Sequence, residues 1–99
     1  MRGLTIIVAS ADAARFAAAL TLANAQAALG GRARIYLHDA AVTLPFTDAL
    51  CEAAIELGVT LIACQTALAT HDVTLAEGFA GGGMIGLVAD LDDDRLVIA

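Results

Sequence analysis

The sequence predicts a small α/β domain whose sheet is doubly wound, mainly parallel, built from four to five strands and flanked by helices. Short runs of apolar residues alternate with longer segments in which apolar residues recur at helical spacing. Glycines lie at several of the boundaries between these segments. Repeated strand–helix–strand units with short loops favour parallel strands joined by right-handed crossovers. A chain of 99 residues has the length of one domain, so we expect residues 1–99 to form a single flavodoxin-like unit.

The first half of the chain predicts two strands and one long helix. Leu4 to Ala9 is a nearly continuous apolar and β-branched run, which is typical of a strand covered on both faces. The alanine-rich segment 12–29 is expected to be a helix, since its larger apolar residues recur on one face. Gly30 and Gly31 should end this helix, and the apolar run 33–38 should form the second strand.

The second half repeats the pattern with shorter elements. After a loop at 39–45, acidic side chains spaced four residues apart predict a helix over residues 47–57. The remaining expected elements are a strand at 59–63, one or two helical turns at 74–79, a short strand near 78–80, a turn at 81–83, a helix at 84–91 and a strand at 95–98.

The composition limits the class of protein. Hydrophobic residues make up 60% of the chain and charged residues 16%, with a mean hydropathy of +0.80, so intrinsic disorder is excluded. The longest apolar run, residues 78–89, is shorter than the about 18–20 residues that a transmembrane helix needs. We expect the excess of apolar surface to be covered by other subunits, in a homo-oligomer or a hetero-oligomer.

The charge excludes two kinds of partner. Five arginines, no lysine and 11 acidic residues give a net charge of −6, which disfavours binding to nucleic acid and to anionic membrane surfaces. The apolar stretch at the N-terminus is too short for a signal peptide. Two cysteines without such a signal predict reduced thiols in the cytoplasm.

Candidate site residues follow the predicted strands. In a doubly wound sheet, ligands bind at the carboxyl ends of the strands. The polar side chains expected at these ends are Ser10, Asp12, His38, Asp39 and Gln65. Gly82 and Gly83 open the last predicted helix and offer backbone N–H groups to an anion, but close packing of the backbone or a subunit contact explains them better.

Cys64 is the sharpest candidate, because it ends an apolar strand and precedes a possible helical turn. A thiol in the positive potential of a helix N-terminus has a lowered pKa, but a small buried core residue is the competing interpretation. Cys51 lies within a predicted helix and is expected to be structural. His38 is a possible base or orienting residue, or simply a residue at a strand end, and His71 is expected to be solvated.

Metal and cofactor chemistry find little support in the sequence. A zinc site built from Cys64, His38, His71 and Asp39 lacks a closely spaced ligand pair, so neither a metal nor a cofactor is expected. The Gly-x-Ser-x-Gly motif of serine hydrolases is missing, and the two cysteines do not form a Cys-x-x-Cys motif.

Several segments form a recognisable pattern: Ile62–Ala67, Thr74–Phe79, Gly81–Met84, Ala89–Asp90 and Arg95–Ile98, with Ile35–Asp39 and Val42 in the N-terminal half. This pattern resembles that of the DsrE/DsrF-like family of sulfur carriers. The resemblance implies a flavodoxin-like subunit that assembles into oligomers. It also implies that Cys64 accepts sulfane sulfur as a persulfide from a donor protein and passes it to an acceptor protein.

Two classes of function therefore remain open at the level of sequence. One is a sulfur-relay protein, or sulfurtransferase, that uses Cys64. The other is a non-catalytic oligomeric module that binds a small ligand or a protein and in which Cys64 is structural. A Cys/His hydrolase using Cys64 and His38 is a weaker third candidate, because no oxyanion motif accompanies it.

Overall fold

The computed structural model describes residues 1–46 and 48–99, and there it has one sheet of five parallel strands with helices on both faces. The strands are β1 (Leu4–Val8), β2 (Ala33–Leu37), β3 (Thr60–Cys64), β4 (Phe79–Gly82) and β5 (Arg95–Ile98). The helices are α1 (Ala13–Ala28), α2 (Ala49–Glu56), α3 (Gln65–Thr70) and α4 (Met84–Ala89), and a 3₁₀ helix covers Asp39–Thr43. The predicted fold class is confirmed.

The strand order β4-β3-β2-β1-β5 explains how the helices are distributed. The chain moves outward from β1 to β4 and then returns to the other side of β1, and right-handed crossovers put helices on opposite faces when the direction reverses. Residues of α1, α2 and α3 pack into the main core, whereas Leu87 of α4 packs on Ile7 and Tyr36 on the opposite face. Among the described residues, α4 is the one helix that packs on this second face.

The ends of the helices follow local chemistry. Asp12 precedes α1 and accepts a hydrogen bond from the backbone N–H of Arg15 at 3.0 Å, so the helix begins one residue later than predicted. Asp48 caps α2 in the same way by accepting from the N–H of Cys51 at 3.0 Å. The predicted start of this helix at Thr47 lies outside the described residues. Gly30, with a φ of +86°, lets the chain leave α1.

Several predicted boundaries around the third and fourth strands were wrong. Residues 74–79 contain no helix, because the helix of this crossover comes directly after Cys64 and the chain must then run back to the start of β4. Gly81 and Gly82 belong to β4 and do not form a turn. A Cβ atom at Gly82 would lie 2.8 Å from Ile62, so glycine allows the two strands to lie side by side.

Two smaller differences concern helical content. The expected loop 39–45 contains the 3₁₀ helix, whose Ala41 and Val42 are buried in the main core. The last helix ends at Ala89 and not at residue 91. Within the described residues no helix combines the length and the apolarity needed to cross a bilayer.

Candidate functional site

Cys64 lies where β3 becomes α3. It is the last residue of the strand and the N-cap of the helix, and its side chain is partly exposed. Register with the neighbouring strands puts Cys64 beside Gly82 of β4, one residue beyond the pair Ala63–Leu37. The thiol is therefore held at the carboxyl edge of the sheet, between two other strand ends, as the sequence predicts.

A small cavity opens at this edge. Its volume is about 160 Å³. Its lining residues are His38, Asp39, Cys64, Thr66, Ala67 and Thr70. Two of the three predicted strand ends thus meet around one cavity, and α3 contributes hydroxyl groups that sequence reasoning missed. The space is enough for a thiol-sized or persulfide-sized group beside Cys64, but not for a large cofactor.

The environment of Cys64 favours its thiolate. The hydroxyl group of Tyr36 lowers the pKa of Cys64 most strongly, and the backbone N–H groups of Ala67 and Thr66 lower it further. Burial and the negative charge of Asp39 oppose this effect but do not cancel it. The net result is a thiol whose pKa lies below its ordinary value, which is the condition for a nucleophilic cysteine at neutral pH.

Tyr36 is a neighbour of Cys64 that sequence reasoning missed. It lies in β2, its side chain is 1% exposed, and it packs with Ile62, Cys64 and α4 on the second face of the sheet. Burial raises the pKa of its own phenol, and so does the neighbouring Cys64, so the hydroxyl stays protonated and can donate to the sulfur. The spacing of two residues between Tyr36 and His38 in the predicted strand 33–38 was the available clue, since it puts both on one face.

His38 lies at the end of β2, as expected, whereas His71 has a partner that was not expected. His38 is exposed, and its ring stacks on that of Tyr36 with centroids 6.4 Å apart, so it borders the cavity and covers the phenol. Its proposed role as a base stays a prediction. His71 was expected to be solvated, but its Nε2 lies 3.2 Å from Oδ1 of Asp39. This contact joins the end of α3 to the 3₁₀ helix beside the cavity.

The remaining predicted site residues do not join the cavity. Asp12 caps α1, and Ser10 is not among the lining residues. Gln65 is exposed and lies against Gly81, where a Cβ atom would be 2.9 Å from its side chain. Gly82 and Gly83 line a separate cavity of about 240 Å³ between α4 and the sheet, together with Arg34. This second cavity runs along the face of the sheet under α4 and reaches the amino ends of β2 and β3 at Arg34 and Thr60.

Cys51 has the opposite environment. Its side chain is fully buried in the main core, and burial together with Asp48 raises the pKa of its thiol to about 12. At neutral pH this thiol is protonated and shielded from solvent. The structural role predicted for Cys51 is consistent with this position.

The comparisons with known proteins do not add a family. No protein-family model matches the chain, and no curated protein matches it significantly. Within residues 1–46 and 48–99, no three side chains of the metal-binding types His, Cys, Asp and Glu lie together in a group that could hold a metal ion.

Proposed function

We propose that this protein is a cytoplasmic sulfur carrier of the sulfurtransferase type, in which Cys64 accepts sulfane sulfur from a donor protein and delivers it to an acceptor protein. The observation that carries the proposal is the contrast between the two thiols. Cys64 borders an open cavity and has a lowered pKa, whereas Cys51 is buried with a pKa raised to about 12. The resemblance to the DsrE/DsrF-like family points to the same cysteine.

The reaction is a nucleophilic displacement at sulfur. The thiolate of Cys64 attacks the outer sulfur of a donor persulfide R–S–SH. A new S–S bond forms on Cys64 while the S–S bond of the donor breaks, and the donor leaves as the thiolate R–S⁻. The product Cys64–S–SH carries the transferred sulfur, and attack by an acceptor thiolate on its outer sulfur returns the Cys64 thiolate. No oxidant is needed, because the transferred sulfur atom keeps its oxidation state in both steps.

Neighbouring groups fit both half-reactions. The Tyr36 hydroxyl and the N–H groups of Thr66 and Ala67 stabilise negative charge at the Cys64 sulfur, both before attack and when the acceptor releases it again. His38 borders the same cavity and is a candidate for protonating the departing thiolate. Thr66 and Thr70 supply hydroxyl groups to a persulfide inside the cavity.

The test is intact mass spectrometry after incubation with inorganic polysulfide at neutral pH. We expect the wild-type chain to gain the mass of one sulfur atom and to lose it again on treatment with dithiothreitol. Cys64→Ser should abolish the gain, and Cys51→Ser is the matched control that should retain it. If Cys64→Ser still gains sulfur, or if the wild type gains none, the carrier function is wrong and the cavity is better explained as the binding site of a non-catalytic module.

A further inference from the structure

The strand β5 forms one edge of the sheet and is unusually apolar for an exposed edge. Its four residues are all exposed, with Leu96 at 47%, Val97 at 36% and Ile98 at 70%. Proteins usually protect such edges with lysine, proline or a bulge, because free backbone groups next to apolar side chains invite pairing with another strand. The opposite edge, β4, carries small residues and a buried Phe79 instead.

The backbone hydrogen bonds to β1 show which groups of β5 are free. The N–H of Arg95 donates to Gly3 at 2.9 Å and that of Ala99 donates to Ile7 at 2.8 Å. Because bonding direction alternates along a strand, Arg95, Val97 and Ala99 face β1. The N–H and C=O groups of Leu96 and Ile98 therefore point away from the sheet, beside the two most exposed apolar side chains of the strand.

We propose that β5 pairs in antiparallel fashion with β5 of a second copy of this chain, about a two-fold axis that passes through Val97. In this register Leu96 lies opposite Ile98 of the second copy, and the reverse pair is generated by the symmetry. Both pairs exchange N–H···O=C bonds and bring apolar side chains together on the same face. The two sheets join into one sheet of ten strands. The proposal does not depend on the thiol chemistry.

The charges and the backbone select this register. An axis through Leu96 would need the N–H of Asp94, which already donates to the carbonyl of Leu91 at 3.0 Å. It would also move the acidic turn 92–94 of each chain toward the other. With the axis at Val97, the two Asp93 residues are about 27 Å apart along the strands. That separation exceeds the Debye length of about 8–10 Å, so two chains of charge −6 can pair here.

The area buried between the two β5 strands determines how tightly the dimer is expected to form. Pairing of two four-residue strands buries less than the about 800 Å² per partner of a stable interface, so the dimer should form reversibly in the micromolar range. Sedimentation velocity from about 10 to 500 µM should show the mass rising from 10.0 kDa toward twice that value. A mass that stays at 10.0 kDa over the whole range overturns the proposal.

Two double variants, each with charged residues at positions 96 and 98, test the register. Both positions are exposed in the monomer. Leu96→Lys combined with Ile98→Lys places like charges opposite each other across the axis and should abolish the dimer at all concentrations. Leu96→Lys combined with Ile98→Glu is the matched control, because it places opposite charges across the axis and should retain dimerisation at low salt. If both double variants dimerise as the wild type does, or if neither dimerises, the register is wrong.

Cysteine trapping gives an independent readout in the Cys64→Ser background, where the remaining Cys51 is buried. Val97 lies opposite its own copy as a non-hydrogen-bonded pair, with Cα atoms about 4.5 Å apart, so Val97→Cys should form an intermolecular disulfide on mild oxidation. Leu96→Cys should not, because the two copies of residue 96 lie about 8 Å apart in this register. A disulfide at residue 96 and none at residue 97 overturns the assignment.

Discussion

At the scale of single residues, the environment gives two identical thiols opposite chemistry. Cys64 ends a strand beside a cavity, where a phenol and backbone N–H groups favour its anion. Cys51 is enclosed by apolar side chains and lies next to a carboxylate, so its anion is disfavoured. The reactive residue is selected by what surrounds the sulfur, and Tyr36 has the largest part in that selection.

Replacing Tyr36 with phenylalanine should therefore raise the pKa of Cys64 without changing the packing volume. The rate of alkylation by iodoacetamide follows the thiolate fraction, so it rises with pH through the pKa and is lost as the pH falls below it. We expect the wild-type midpoint to lie below that of an unperturbed cysteine thiol, and the midpoint of Tyr36→Phe to lie higher than that of the wild type. At pH 7 the variant should react about three- to tenfold more slowly.

Thr70→Val is the matched control for this measurement, since Thr70 lines the same cavity but does not contribute to the lowered pKa of Cys64. Its midpoint should equal that of the wild type. An unchanged midpoint in Tyr36→Phe would show that the phenol does not act on the thiol.

At the scale of elements, one buried carboxylate attaches the edge strand β5 to the rest of the sheet. Asp94 precedes β5, and its side chain is 3% exposed. It accepts a hydrogen bond from the hydroxyl of Thr5 at 2.9 Å and lies 3.4 Å from Arg32 and 3.7 Å from Arg34. The side chain of Arg34 is equally buried and also contacts Asp90, so the cluster connects β1, β2 and both ends of the final turn.

Asp94→Ala should consequently destabilise the protein by about 2–4 kcal/mol, because it leaves the buried guanidinium of Arg34 and the hydroxyl of Thr5 with fewer partners. Urea unfolding at pH 7 measures the loss. Asp93→Ala is the neighbouring control, since this side chain is exposed, and it should change the free energy of unfolding by no more than about 0.5 kcal/mol. Equal effects of the two substitutions would contradict the attachment role of Asp94.

At the scale of the whole molecule, charge and aromatic packing both oppose nucleic-acid binding. The net charge is −6, and Arg32 and Arg34 are engaged with Asp90 and Asp94. The three phenylalanines pack against one another in edge-on and tilted pairs, with centroid distances of 5.7 and 4.6 Å, and Tyr36 is buried. These aromatic rings therefore offer bases no open stacking platform among the described residues.

Fluorescence anisotropy with a labelled 20-nucleotide single strand should therefore show no binding at about 10 µM protein, even at low salt. Oligonucleotides of DNA and RNA should behave alike. A salt-dependent rise in anisotropy in the micromolar range would mean that the charge argument fails for this protein.

The sequence by itself determined how strands and helices alternate along the chain. It also determined that Cys64 lies at the end of a strand. These features depend on local periodicity, on caps such as Asp12 and on glycines with positive φ such as Gly30, all of which act within a few residues. The fold class follows from them, because short connections and handedness leave few ways to arrange alternating elements.

Only the tertiary structure decided which of these strand ends meet. The order of strands in the sheet brings Tyr36 to Cys64 and His71 to Asp39, and it separates Gly82 and Gly83 from the cavity of Cys64. It also leaves β5 at an edge. Such contacts join residues far apart in the chain. Their energies depend on burial and mutual packing, which cannot be predicted from a local pattern of residues.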